Sequence, residues 1–298
     1  MNYYLGVDGG GTTTTVAVAD ENGNILVKCK GKTINYCSVG LEKARENFKA
    51  VLADVERKTG INTYKNAFIG SSALTEAADN ETTERFCGGI LNAENIFMHS
   101  DVYAALCAVG DEVPKCVVIS GTGSVAAALD RNGNYFTAGG WGHIMGDEGS
   151  AYGIATAALR RCVYLWDSGI EAPLLNRVTA FLGIESFAKI ESAVYGENTT
   201  KDVIASLATV VSELAAVGDA DALAILEAES RKLFETVEIL FGRTGGCEKI
   251  SLYGGVFRNV PLFREKFEAL VERKYPNMKI GFLEITPEDG AVKAALKL

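Results

Sequence analysis

The opening pattern of the chain returns 110 residues later, and this repeat limits the fold more than any other feature. Tyr3–Val7 is an apolar, aromatic strand ending in Asp8-Gly9-Gly10-Gly11-Thr12. A second strand, Thr14–Ala19, alternates and is rich in β-branched residues. Asp20-Glu21-Asn22-Gly23-Asn24 carries the Asn-Gly pair of a tight hairpin, and Asn24–Lys30 alternates again. Cys116–Ser120, Gly121-Thr122-Gly123-Ser124, Val125–Leu129 and Asp130-Arg131-Asn132-Gly133-Asn134 then repeat the order. The hairpin turns are offset by 130 − 20 = 110 residues, and at that offset Gly11-Thr12 falls on Gly121-Thr122. Two features in one register indicate a duplicated unit. Two related α/β domains facing one another would set the glycine-threonine turns on either side of a cleft.

Between and after the copies the period changes to that of helices. Leu41, Ala44, Phe48, Val51, Leu52 and Val55 form one stripe that Gly60 can stop. Ala67–Ser71 and Ile96–His99 read as strands, with helices near 80–91 and from Asp101 to Ala108, the latter ended by Gly110. Later come helical stripes over Val203–Val217 and Ala220–Leu240, a strand Lys249–Tyr253, and Gly254-Gly255.

The first glycine turn fits neither common nucleotide motif. A dinucleotide fingerprint needs a helix after its glycines, but Thr12-Thr13-Thr14-Thr15-Val16 follows here, and successive threonines are poor helix formers. A P-loop needs a lysine that is absent. A hairpin tip offering N–H groups and hydroxyls to an anion fits both copies. Asp8 beside such a tip would repel phosphate unless a cation lay between them, so it reads as a water-mediated Mg²⁺ ligand or as a turn cap. Net charge is −9 with a pI near 5.0, which argues against nucleic acid. No apolar run reaches the ~18 residues of a membrane span, and the N-terminus lacks a basic signal region. The seven cysteines are scattered and never spaced as CxxC, which suits a reducing cytoplasm without a metal or disulfide framework.

The blocks Gly6-Val7-Asp8-Gly9-Gly10-Gly11-Thr12, Ile119-Ser120-Gly121-Thr122-Gly123-Ser124, Gly139-Gly140-Trp141-Gly142-His143, Gly146-Asp147-Glu148-Gly149-Ser150-Ala151-Tyr152 and Gly254-Gly255-Val256-Phe257-Arg258-Asn259 resemble the BadF/BadG/BcrA/BcrD ATPase family of the actin/hexokinase/Hsp70 superfamily. The likeness is closest to its N-acetylglucosamine kinase branch and covers essentially the whole chain. It implies an α/β fold of two RNase H-like, actin-like ATPase domains facing an interdomain cleft. These would be 1–112 with 285–298, and 113–284 with the nucleotide site. The segment Thr286–Leu298 would return as a closing helix, with Gly290-Ala291 near the hinge.

The same resemblance implies MgATP as donor and a small amino sugar as acceptor, most directly N-acetylglucosamine giving its 6-phosphate. Gly10, Gly11, Thr12, Thr13, Gly121, Thr122 and Gly123 would grip phosphate, and Gly254 and Gly255 would lie against adenosine. Asp8 would hold the metal. The family's base falls on Asp101, which the residues alone leave equally readable as a helix N-cap. The sugar contacts fall on Asn35, Ser72, Ser124, Gly140, Trp141 and Asp147. Trp141 reads alternatively as a core aromatic, His143 as a packed histidine, and Asp147-Glu148 as an extended pair pointing opposite ways. Glucosamine or N-acetylmuramic acid are alternative acceptors, because 168–198 matches little of the family and could shape a bulkier pocket. An ATPase activator of a 2-hydroxyacyl-CoA dehydratase is the reading from another class. It needs cysteines gathered at one site. The resemblance leaves room for a homodimer and requires neither nucleic acid nor membrane.

Overall fold

The computed structural model describes residues 1–196 and 199–298, so Glu197 and Asn198, the end of the unmatched segment, lie outside the described residues. The chain divides into two compact units, Met1–Glu112 with Leu283–Leu298, and Val113–Phe282.

The first unit carries β1 (Tyr4–Gly9), β2 (Thr13–Ala19), β3 (Ile25–Lys32), α1 (Tyr36–Val39), α2 (Leu41–Thr59), β4 (Tyr64–Ser71), α3 (Asn80–Cys87), β5 (Ala93–His99) and α4 (Asp101–Val109). Its sheet order is β3-β2-β1-β4-β5, with the first three strands antiparallel and β1, β4 and β5 parallel. Leu5, Val7, Val16 and Val18 project into one core with Phe48, Val51 and Val55 of α2. Gly60 ends α2 in the left-handed region at φ 74°, its N–H donating to Glu56 O, as the sequence predicts for a C-terminal glycine.

The second unit continues with β6 (Lys115–Ser120), β7 (Ser124–Leu129), β8 (Tyr135–Gly139), α5 (Ala151–Asp167), α6 (Pro173–Phe181), α7 (Ile190–Val194), α8 (Lys201–Ala205), α9 (Ala208–Ala216), α10 (Ala220–Thr244), β9 (Lys249–Tyr253), α11 (Gly255–Asn259), α12 (Pro261–Lys274) and β10 (Lys279–Phe282). Its order, β10-β9-β6-β7-β8, is the first sheet read in reverse. The stripe expected over Val203–Val217 is two helices, α8 and α9, broken at Ser206-Leu207. The chain then returns to the first unit as α13 (Pro287–Ala295). A Cβ on Gly6 would meet Val292 N at 2.4 Å, and one on Gly290 would meet Ala104 O at 2.3 Å, so two glycines seat α13 on β1 and on α4. Among the described residues no single helix is long and apolar enough to cross a membrane.

The repeat is visible atom by atom at its hairpins. Asp20 Oδ1 accepts the N–H groups of Asn22 and Asn24, and Asp130 Oδ1 accepts those of Asn132 and Asn134. Upstream the copies differ by one residue. Gly9 pairs with Thr14 around residues 10–13, whereas Ser120 pairs with Ser124 around only 121–123. Ala19 pairs with Tyr4 and Leu129 with Lys115, so the first strands run at an offset of 115 − 4 = 111. Asp8 therefore corresponds to Ile119, and the second copy has no carboxylate at that place.

Candidate active site

In the first unit the candidate carboxylates gather at the C-terminal ends of the parallel strands. Asp8 lies within β1, paired with Thr15 on one side and Gly70 on the other, so it is a ladder residue and not a turn cap. A Cβ on Gly70 would come 3.1 Å from Asp101 Cα, so this glycine is what lets the start of α4 descend beside Asp8. Ser100 is the N-cap of α4, its Oγ accepting from Tyr103 N. Asp101 is thereby relieved of capping. Its Oδ1 accepts its neighbour's N–H, that of Val102, at 2.8 Å. His99 stacks on Tyr103 at 4.2 Å between ring centroids, and burial holds its imidazole down to about 4, so it stays neutral.

Burial and the nearby charges of Asp101 and Glu288 push the Asp8 carboxyl up to about 8. Burial pushes Asp101 up to about 6, opposed by backbone N–H groups. Like charges crowded away from water would be relieved by a cation; no group of three or more His, Cys, Asp or Glu among the described residues could hold a metal by itself, so Mg²⁺ here would take most of its oxygen ligands from water and phosphate.

The glycine turn is exposed from Gly11 to Thr13, while Gly10 O accepts from Thr33 Oγ1 at 2.8 Å. The Thr33 hydroxyl also receives Asn35 N at 3.0 Å, which ties the Asn35 segment to the turn. Asn35 Nδ2 donates to Ser72 Oγ at 2.9 Å, and Ser72 N donates to Gly9 O, so the two sugar candidates form a pair beside the turn. Asn35 Oδ1 is occupied by Cys37 N and Ser38 N as the cap of α1. Toward a ligand this amide offers a donor, not an acceptor.

In the second unit Gly121 N closes its turn onto Gly123 O at 2.9 Å. The first N–H groups of α5, those of Ala151 and Tyr152, donate to Gly121 O and Thr122 O. Ser120 Oγ donates to Gly149 O, and Ser124 Oγ to Glu148 O, both at 2.7 Å. A Cβ on Gly254, at φ 111°, would strike Ser120 O at 2.1 Å, so Gly254 lies directly on this turn. Gly255 beside it is exposed.

Asp147 is 3% exposed and is the sole non-glycine residue described at positive φ, 64°. The divergence of Asp147 from Glu148 thus comes from a left-handed residue and not from the extended alternation expected. The Asp147 Oδ1 accepts Ser124 N at 3.1 Å, and its Oδ2 pairs with Lys201 Nζ at 2.7 Å. It sits so close to the turn that a Cβ on Gly123 would be 2.7 Å from Oδ1. Trp141 is 68% exposed, so it is no core aromatic; Gly140 beside it packs on Val125. His143 is exposed and meets the Tyr152 ring edge-on at 5.0 Å, rather than being packed inside as expected.

Asp8, Gly10 to Thr13, Asn35, Ser72 and Asp101 are thus one neighbourhood of the first unit. Gly121 to Ser124, Asp147 and Gly254 are one neighbourhood of the second. Two further contributors, Lys201 and Glu288, escaped the sequence reading. Lys201 is 54 positions from Asp147 and follows the unmatched segment 168–198; Glu288 was read only as part of a closing helix.

The chain is 27% identical over 298 residues to an N-acetylmuramic acid/N-acetylglucosamine kinase of Clostridium acetobutylicum, covering 98% of this chain and 97% of the relative. It is 26% identical over 310 residues to an N-acetyl-D-glucosamine kinase of Dictyostelium discoideum, covering 98% and 97%. The solved structure of a candidate N-acetylglucosamine kinase from Chromobacterium violaceum matches with a TM-score of 0.79 at 22% identity, covering 99% of each chain. A ROK family glucokinase from Streptomyces griseus, solved with glucose and AMPPNP, matches at 0.62 and 18%, covering 99% of this chain and 98% of that one. These last two establish the fold, the two-unit α/β fold of actin-like ATPases. The family model spans residues 5–297, and the chain belongs to the BadF/BadG/BcrA/BcrD ATPase family.

Proposed function

We propose that the chain is a kinase that transfers the γ-phosphoryl group of ATP to a hydroxyl of an amino sugar, with N-acetylglucosamine becoming its 6-phosphate. The observation that carries this reading is Asp101, a carboxylate at the first turn of α4 that Ser100 frees from capping and Gly70 admits beside Asp8. Phosphoryl transfer asks a protein chiefly for positioning and charge stabilisation, plus a group to take the hydroxyl proton. Asp101 receives that proton. Its affinity near pH 6 leaves it ionised at neutral pH yet basic enough to accept.

Asp8 and its crowded carboxylate neighbours suit Mg²⁺, which when bound neutralises charge on the transferring phosphates. The N–H groups and threonine hydroxyls of each turn are suited to donate to phosphate oxygens, and Gly254 and Gly255 beside the second turn leave room for adenosine. Asn35 and Ser72 orient the acceptor, Trp141 offers an exposed aromatic face to a sugar ring, and Ser124, Gly140 and Asp147 border the second turn. We also place the reaction in the cytoplasm, where ATP is available and the seven free thiols stay reduced.

N-acetylmuramic acid is a second acceptor on this reading, favoured by the clostridial relative that carries both sugars in its name. A coupled ADP-release assay across N-acetylglucosamine, N-acetylmuramic acid, glucosamine, N-acetylmannosamine and glucose tests the proposal. Sugar-stimulated release with an N-acetylated amino sugar is expected. Release that no sugar on the panel stimulates would overturn it.

A further inference from the structure

Both turns have a carboxylate beside them, and the second answers that charge differently from the first. Phosphate brought to residues 121–123 meets the Asp147 carboxylate, whose Oδ2 would lie 3.0 Å from a Cβ on Gly123. At the corresponding end of the first turn Asp8 has carboxylate neighbours and calls for a divalent cation. In the second copy Ile119 stands in the place of Asp8. What faces Asp147 instead is an ammonium group. Lys201 Nζ is 2.7 Å from Oδ2 and 5.9 Å from the centre of the Tyr152 ring, and its side chain remains 32% exposed. Tyr152 is itself tied to the turn, its N–H donating to Thr122 O. Lys201 is thus held by two residues that both touch residues 121–123, and a third of its surface is open.

We propose that Lys201 is a phosphate-binding residue, the direct cation of the second glycine turn, placed there by Asp147. An ammonium has three donors. Asp147 takes one, and the others are available to phosphate oxygens in charge-assisted hydrogen bonds. The left-handed backbone of Asp147 serves the same placement. A non-glycine residue there is costly, and it aims one carboxylate at both Ser124 N and Lys201. The inference rests on the reading of residues 121–123 as a phosphate site, so its test is a nucleotide-binding measurement that needs no sugar.

The experiment is titration calorimetry of wild type, Lys201→Met, Lys201→Arg and the double variant Lys201→Met/Asp147→Asn, with MgATP and separately with adenosine. Lys201→Met should weaken ATP binding about tenfold or more and leave adenosine within about twofold, because adenosine carries no phosphate. Lys201→Arg should recover most of the loss, since the charge is retained. If Lys201 served only to neutralise Asp147, the double variant, which removes both partners, would bind ATP like wild type. That recovery would overturn the proposal, as would wild-type ATP affinity in Lys201→Met or an equal loss of adenosine. Failure of the wild type to bind ATP would instead overturn the phosphate-site reading beneath it.

Discussion

At the end of β1 the chain carries Asp8; at the matching place on β6 it carries Ile119. The two copies otherwise share strand order, Asn-Gly hairpins and a glycine-threonine turn at the same edge of the sheet. One copy sets Asp101 and the Lys28-paired Glu288 within electrostatic reach of Asp8. The other pairs its buried carboxylate with a lysine. Duplication supplied the phosphate cradle twice, and divergence divided the labour. On the proposed function, the first copy would add a metal ligand and a base to its cradle, and the second a lysine.

The sharpest way to break that division is at the base. Asp101→Asn should lower kcat by ~10²–10⁴-fold while the affinities for MgATP and sugar stay within a few-fold, read by steady-state kinetics beside calorimetry. Next is the metal side. Asp8→Asn should abolish most of the Mg²⁺-dependent rate and yet stabilise the fold. Between about pH 4 and 8 native Asp8 keeps a proton that an unfolded carboxyl, near 3.8, has lost. The native state then binds more protons than the unfolded one, so stability falls as pH rises through that window. Removing the titration should raise the melting temperature at pH 8 relative to wild type, with little difference at pH 4. An unchanged melting curve at pH 8 would refute the crowding of Asp8.

A third test asks whether the two carboxyls act separately. As pH falls through about 6, Asp101 takes up a proton and kcat/KM at saturating Mg²⁺ should decline about tenfold per unit. Apparent Mg²⁺ affinity should rise with pH up to about 8, as the proton on Asp8 ceases to compete.

The smallest effects compare glycines. Gly254→Ala forces a Cβ to within 2.1 Å of Ser120 O and should lower stability and ATP affinity together. Gly11→Ala meets nothing within 4 Å, so thermal stability should hold. Any rise in its KM for ATP would then report phosphate approaching the backbone.

Much of this was legible in the sequence, for reasons that differ by element. The hairpins were visible because Asp20 and Asp130 cap their turns with local hydrogen bonds that need no tertiary context. The α/β class followed from alternating periods, and the fold from the blocks around the two turns. The break between α8 and α9 was hidden because the apolar stripe runs through it without a proline or glycine. The one-residue difference between the turns was hidden too, because the hairpins align at 110 while strand pairing shifts β6 to 111. Lys201 could not be found from spacing, since its partner is 54 residues away and its position depends on how α8 packs. Asp147 gave one local sign, an acidic residue between Gly146 and Glu148-Gly149 where a left-handed conformation fits.

The most direct measurement mixes the protein with MgATP and N-acetylglucosamine and follows ADP and sugar phosphate together, wild type beside Asp101→Asn. The expected result is one ADP for each sugar 6-phosphate in the wild type, almost no product from Asp101→Asn, and little ADP without sugar. ADP released at the same rate with or without sugar, or product formed by Asp101→Asn at the wild-type rate, would contradict it.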